Sequence, residues 1–268
     1  MTKSKSKNLS TTSVICSAVI ALSLWGGNAS NAGAGETADW QGLYGGLAIG
    51  GAYSAAKPDT NVLYTGYFTD NATDSDREQL TPILNKTIEG FDATGSALFG
   101  YDYQDRNVIY GIEGDLTFMP FSESENHGPT AYDTSPANTF TSQTTVETDF
   151  SFSIRPKIGY AAGDWQIYLA AGPSISRFKT THKFTDTFGT GTNHTFTDTK
   201  TAFGVSSSIG AGYLIGNGWS LRGDYVLTYF PSIVNGDRDI GQGGPAPDFS
   251  YDGDFQSHNL RFALIKRF

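Results

Sequence analysis

Glu113 and Asp115 lie two residues apart in Y-G-I-E-G-D-L (Tyr110 to Leu116). Paired carboxylates on one face are the residue types that general acid–base chemistry uses. The same spacing returns as two cations at Arg155 and Lys157, and as one of each sign at Arg222 and Asp224; Arg261 and Arg267 add further cations, and Asp102 and Asp149 further acids. Residues two apart share a face only on a strand. The charges therefore meet if these segments are strands around one interior. A carboxylate pair becomes catalytic only with a nucleophile or an open cavity beside it, and no such partner accompanies this one. The expectation is a lumen charge ladder of Glu113, Asp115, Arg155, Lys157, Arg222, Asp224 and Arg261, in which buried ions survive by pairing. No catalytic, cofactor-binding or metal-ligating residue is assigned. His127, His182, His194 and His258 lack metal-ligand spacing. Gly210-Ala211-Gly212 with Gly216 is not followed by a helical pattern, so it does not read as a phosphate loop.

The elements that must carry these charges alternate with period two. Gly42–Tyr53, Phe91–Tyr103 and Val108–Phe118 are expected as the first three strands. A fourth surrounds Phe150, Phe152, Ile154, Ile158 and Tyr160, with Pro156 as its irregularity. Trp165–Ser176, Phe203–Ile215, Trp219–Tyr229 and Ser257–Phe268 complete eight. On each, apolar and aromatic residues share one face, and small or charged residues the other. Short turns, including Gly216-Asn217-Gly218, alternate with polar stretches at Ser54–Gly90, Pro120–Glu147, Arg177–Lys200 and Pro231–Phe255. An even number of strands with long connections at one end only is the pattern of an outer-membrane barrel. The fold expected is all-β: an eight-stranded antiparallel transmembrane β-barrel with four long extracellular loops and both termini on the periplasmic side. Ser257–Phe268 is expected to close against Gly42–Tyr53. A soluble β-sandwich accommodates each strand singly but not the alternation of loop lengths.

Lys3, Lys5 and Lys7, the apolar run Val14–Trp25 and the small residues after it read as a signal peptide over 1–32, cleaved between Ala32 and Ala34, with the barrel over 33–268. The run is shorter than the ~20 residues a membrane helix needs. Cys16 is the single cysteine and lies inside this segment, so no disulfide or thiolate site is expected in the mature chain. The 32 Gly, 14 Tyr and 18 Phe with 17% charged residues suit short strands whose aromatics face an apolar medium. A net charge of −9 argues against nucleic acid as a partner.

With these residues laid out, the chain resembles the alphaproteobacterial outer-membrane proteins of the Omp25/Omp31 type, within the OmpA-like barrel and porin families. The resemblance rests on W-Q-G-L-Y-G-G-L (Trp40 to Leu47), G-Y-D-Y-Q (Gly100 to Gln104), Y-G-I-E-G-D-L, I-G-Y (Ile158 to Tyr160), A-G-Y (Ala211 to Tyr213) and the final R-F. Residues 54–90 and 120–147 are long for that family. The resemblance implies an abundant, non-enzymatic envelope protein of the bacterial outer membrane, often a surface antigen, with a small porin or a haem-binding or adhesive receptor as the alternatives. It also makes Phe268 look like the barrel-assembly signal, although Lys266 stands where an aromatic is usual. The partners expected are outer-membrane lipid and lipopolysaccharide, the barrel-assembly machinery, and host or surface ligands met through the loops.

Overall fold

A computed structural model describes residues 38–64, 68, 74–189, 191–240 and 247–268. The expected signal peptide and its cleavage site lie outside the described residues. Eight strands close into one antiparallel barrel in chain order. They are β1 (Gly42–Val62), β2 (Ile88–Asp105), β3 (Val108–Ala131), β4 (Thr139–Ala162), β5 (Trp165–Asp186), β6 (Thr192–Gly216), β7 (Trp219–Arg238) and β8 (Phe249–Arg267). β8 pairs with β1 from Arg267↔Tyr44 to Phe249↔Val62, which closes the ring and removes both sheet edges.

Tight turns join the strands at the end that carries residue 268. Asn217 and Gly218 both have positive φ (52° and 72°), the backbone of a type I′ hairpin. Arg106 and Gly163 take the same left-handed region in the two other turns.

At the distal end the expected long loops are mostly strand. The strands run 18–25 residues, about twice the ~10 that a tilted strand needs to cross a bilayer. At ~3.3 Å per residue and ~40° of tilt, a 22-residue strand such as β5 rises roughly 55 Å. Only 63–87, 132–138, 187–191 and 239–248 remain as distal connections. The first contains α1 (Asp74–Leu84), whose Leu80 and Leu84, one turn apart, are buried in the barrel mouth.

The extra strand length was hidden because the two faces exchange polarity partway up. Along β5 the outward positions run Trp165, Ile167, Leu169, Ala171, Pro173, Ile175, then Arg177, Lys179, Thr181, Lys183. Its inward positions run Gln166, Tyr168, Ala170, Gly172, Ser174, Ser176, then Phe178, Thr180, His182, Phe184. Parity never slips, yet apolar-out becomes apolar-in between Ile175 and Phe178. The proximal half thus presents an apolar belt to its surroundings. The distal half keeps its aromatics inside, as a water-soluble barrel does.

Candidate functional site

The barrel interior is layered. At the base, Trp40 is fully buried against Ile109 and Ala161, and its backbone N–H donates to Gln104 Oε1 at 2.7 Å. Above this stopper lies the ionic layer. Glu113 and Asp115 come from β3, Arg155 and Lys157 from β4, Arg222 and Asp224 from β7, and Arg261 and Arg267 from β8. Each of the seven ladder residues expected from sequence is at most 5% exposed.

Two arginines brace opposite walls. Arg222 on β7 spans the lumen to Glu113 on β3, donating through Nη1 at 2.5 Å and Nη2 at 3.0 Å. Arg261 on β8 pairs with Asp115 on β3 at 2.7 Å and donates through Nε to Asp224 at 3.3 Å. Arg155, in register with Glu113, donates from Nη2 to Glu113 at 2.9 Å and to Asp115 at 2.5 Å. Arg222 also donates to Asp224. Lys157 donates to Asp102 at 2.8 Å, and Arg267 reaches the same carboxylate at 3.0 Å. Five cations therefore share four carboxylates, and every one of the four is contacted. For side chains so deeply buried, this near balance is what lets the ions remain charged.

Two tyrosines complete the layer, and the sequence reading missed both. Tyr44 donates to Glu113 Oε2 at 2.9 Å, and Tyr168 donates to Asp224 Oδ1. Lys157 and Arg222 lie over the Tyr168 ring, 5.1 and 4.7 Å from its centroid. A side chain at Gly100 would place its Cβ 2.5 Å from the Tyr44 hydroxyl oxygen. Gly100 is therefore the space into which Tyr44 reaches. The detectable signal was parity: Tyr44 and Tyr168 are aromatics on otherwise small or polar inward faces.

Asp149, expected among the inward charges, is exposed outside the lumen. The register of β4 against β5 shifts between Glu147 and Ser151. Inward positions are odd-numbered below that bulge and even-numbered above it, so Asp149 falls on the kink and turns outward. Pro156 causes no register shift. It pairs with Ile112 on β3, and β4–β5 pairing resumes beyond it in the same register.

A hydroxyl layer covers the ions. Ser96 and Thr117 share a hydrogen bond of 2.9 Å, Thr94 donates to Asn259 at 3.1 Å, and Ser54 donates to Ser257 at 3.0 Å. Above it sits the aromatic core. Phe255 packs on Phe121, Phe178 and Phe230 with centroids 5.0–6.4 Å apart. Phe249 meets Phe184 at 5.4 Å, and His182 meets Tyr251 at 5.0 Å. His182 is 2% exposed, and Thr144 Oγ1 lies 2.9 Å from its Nδ1. Burial among these rings, with His194 nearby, pushes its pKa down to about 4. α1 packs into the mouth through Leu80 and Leu84. Thr134 N–H donates to Asp76 Oδ1 at 3.0 Å, and Gln79 Nε2 donates to the carbonyl of Ala131 at 2.9 Å.

The histidines stay apart in role. His127 lies 3.0 Å from Thr130 Oγ1, while His258, on the outer wall, is bonded to Tyr225 at 2.6 Å. Among the described residues no group of three or more His, Cys, Asp or Glu side chains could hold a metal ion. Phe268 is 83% exposed, and its backbone N–H donates to the Leu43 carbonyl at 3.0 Å.

Residues 19–263 match the family described as outer membrane protein beta-barrel domain. The 31 kDa outer-membrane immunogenic proteins of Brucella melitensis and Brucella suis are each 27% identical over 155 residues, 57% of this chain. The chain spans 59% of the length of these curated relatives. Among solved structures, the attachment invasion locus protein Ail of Yersinia pestis aligns at 11% identity over 82% of this chain and 99% of its own, with a TM-score of 0.31. The outer membrane protease OmpT of Escherichia coli aligns at 7% identity over 85% and 97%, with a TM-score of 0.46. The family match and the Brucella relatives join the closed eight-strand ring and its apolar belt: the chain belongs to the outer membrane protein beta-barrel domain family and is a protein of the bacterial outer membrane.

Proposed function

We propose that this protein is a sealed, non-catalytic barrel that serves envelope structure and displays its tall distal half at the cell surface. The filled interior carries this reading. Among the described residues, one cavity in the ionic and hydroxyl layers and one in the aromatic core each measure about 10 Å³, room for about one water. Among the described residues, Trp40, the ion pairs, the Phe255 cluster and α1 follow one another along the axis and fill it with side chains. Acid–base catalysis does not fit either. Glu113 and Asp115 are held by guanidinium groups and lie beneath closed layers, out of reach of a substrate. Short turns belong to the periplasmic side of such barrels and the longer end to the exterior, so the distal half faces outward. The Brucella relatives are named immunogenic outer-membrane proteins, which suits a protein whose distal half is displayed.

Phe268, which follows β8 with its side chain exposed and its N–H bonded to the Leu43 carbonyl, is the proposed assembly signal. Planar-bilayer recording of the purified protein tests the sealed reading. The expected result is a baseline without resolved steps; discrete, reproducible conductance steps would overturn it.

A further inference from the structure

We propose that the outer wall formed by β4, β5 and β6 binds one phosphorylated glycolipid of the outer leaflet. The proposal rests on the outward placement of the distal half. Three features stack vertically on these strands. The lowest is a groove of about 670 Å³ in the apolar belt, lined by Ala171, Ser207, Pro156, Leu169 and Ile209 and, from the neighbouring β7, Leu227. It forms where small outward side chains replace the Leu, Ile and aromatics found elsewhere in the belt, beside the proline of β4. Such a trough takes an acyl chain better than a smooth wall does, because each methylene gains contact on more than one side.

The second feature is cationic. Arg177 is the next outward residue above Ile175, and Lys179 and Lys183 continue the row. Lys179 is paired with Glu147 at 2.7 Å. Arg177 and Lys183 are exposed and have no ionic partner among the described residues. From Ala171 to Arg177 is six residues, ~20 Å along the strand and roughly 15 Å in height, the depth of one hydrocarbon leaflet. A phosphate held at Arg177 therefore leaves its acyl chains beside Ala171.

The third feature is a field of hydroxyls level with and above the cations. Thr181 faces Thr197 at 3.3 Å, Thr145 lies on the other side of Thr181, and Thr199 and Thr201 continue along β6. Flat rows of donors and acceptors match sugar hydroxyls. Acyl chain, phosphate and sugar, in that vertical order, describe a phosphorylated glycolipid; a phospholipid lacks the third part. The two walls differ in charge. Here Glu147 and Asp149 of β4 stand beside Arg177, Lys179 and Lys183, which leaves a net positive surface; at a similar height the opposite wall turns Asp59, Asp252 and Asp254 outward with Lys57 alone, a surface that repels phosphate.

Native mass spectrometry of the delipidated full barrel in detergent, titrated with bisphosphorylated lipid A, tests the proposal. One saturable adduct is expected. Arg177→Glu/Lys183→Glu should weaken it about tenfold or more, Ala171→Trp should weaken it with the charges intact, and Lys57→Glu should leave it unchanged. Lipid A stripped of phosphate should bind as weakly as the double variant. Heat-modifiable gel migration shows which variants remain folded barrels. Wild-type affinity in the folded double variant, equal binding of the phosphate-free lipid, an equal loss in Lys57→Glu, or protein dimers in place of lipid adducts would each overturn the site. None of these results bears on the sealed envelope reading, which stands or falls on conductance.

Discussion

Single residues of the lumen are held by opposing charges rather than by apolar packing, and that makes their loss costly. Glu113 accepts from Arg155, Arg222 and Tyr44. Glu113→Gln leaves two buried guanidinium groups short of a counter-charge. Breaking such a pair costs about 3–5 kcal/mol, readable as a lower urea midpoint for loss of the heat-modifiable band. Glu113→Gln combined with Arg222→Met removes one charge of each sign and should recover part of that loss. A double variant as unstable as the sum of its singles would show that the two residues act independently. His182 gives a pH-dependent counterpart in the distal half. Its folded pKa, about 4, lies below the unfolded value near 6.5. The unfolded chain therefore binds the proton first, and the contribution of neutral His182 is complete above pH 6.5 and lost as pH falls from there toward 4. His182→Phe should flatten the difference in stability between pH 7 and pH 5. An unchanged difference would assign the pH dependence to other groups.

At the scale of the element, the eight strands were legible wherever apolar residues faced outward, and parity gave which residues share a face. The charge ladder was legible for the same reason: Arg155 and Lys157, or Arg222 and Asp224, can share a face only on a strand. Above Ser176 the alternation persists, as in Arg177-Phe178-Lys179 and Thr195-Phe196-Thr197, but with the aromatic inside. Polar outward residues with scattered phenylalanines look like loop unless their period is read by itself. Asp149 was misplaced because a bulge changes parity and has no signature in the sequence beyond an ordinary T-D-F. Trp40, Tyr44 and Tyr168 became layer-forming residues only when the ring closed and set their partners across the lumen. The distal strands should behave as a packed core rather than as loops. Phe255 is fully buried and touches three other phenylalanine rings. Phe255→Ala should cost about 3–5 kcal/mol and make 120–147 and 177–200 susceptible to protease under conditions where the wild type resists. Protease resistance equal to wild type would mean that this half is held by its backbone ladder alone.

The described barrel has two halves of opposite polarity on one set of strands, and the level of the exchange fixes its depth in the membrane. Hydrocarbon demands an apolar exterior and tolerates a charged, self-paired interior; water demands the reverse. On β5 the exterior changes character between Ile175 and Arg177. On β1 it changes between Tyr53 and Lys57, and on β8 between Leu260 and Gln256. Since β1 pairs Tyr53 with His258 and Lys57 with Asp254, those two transitions fall at one height on neighbouring strands, as a planar boundary requires. Cysteine substitutions at outward positions of β5 can map this boundary, because Cys16, the single native cysteine, lies within the expected signal peptide. In outer membranes, a water-soluble maleimide should label cysteines at 177, 179, 181 and 183 and leave those at 167, 169, 171 and 175 unlabelled. Labelling that extends evenly down to 167 would place the belt in water and remove the physical reason for its aromatic exterior.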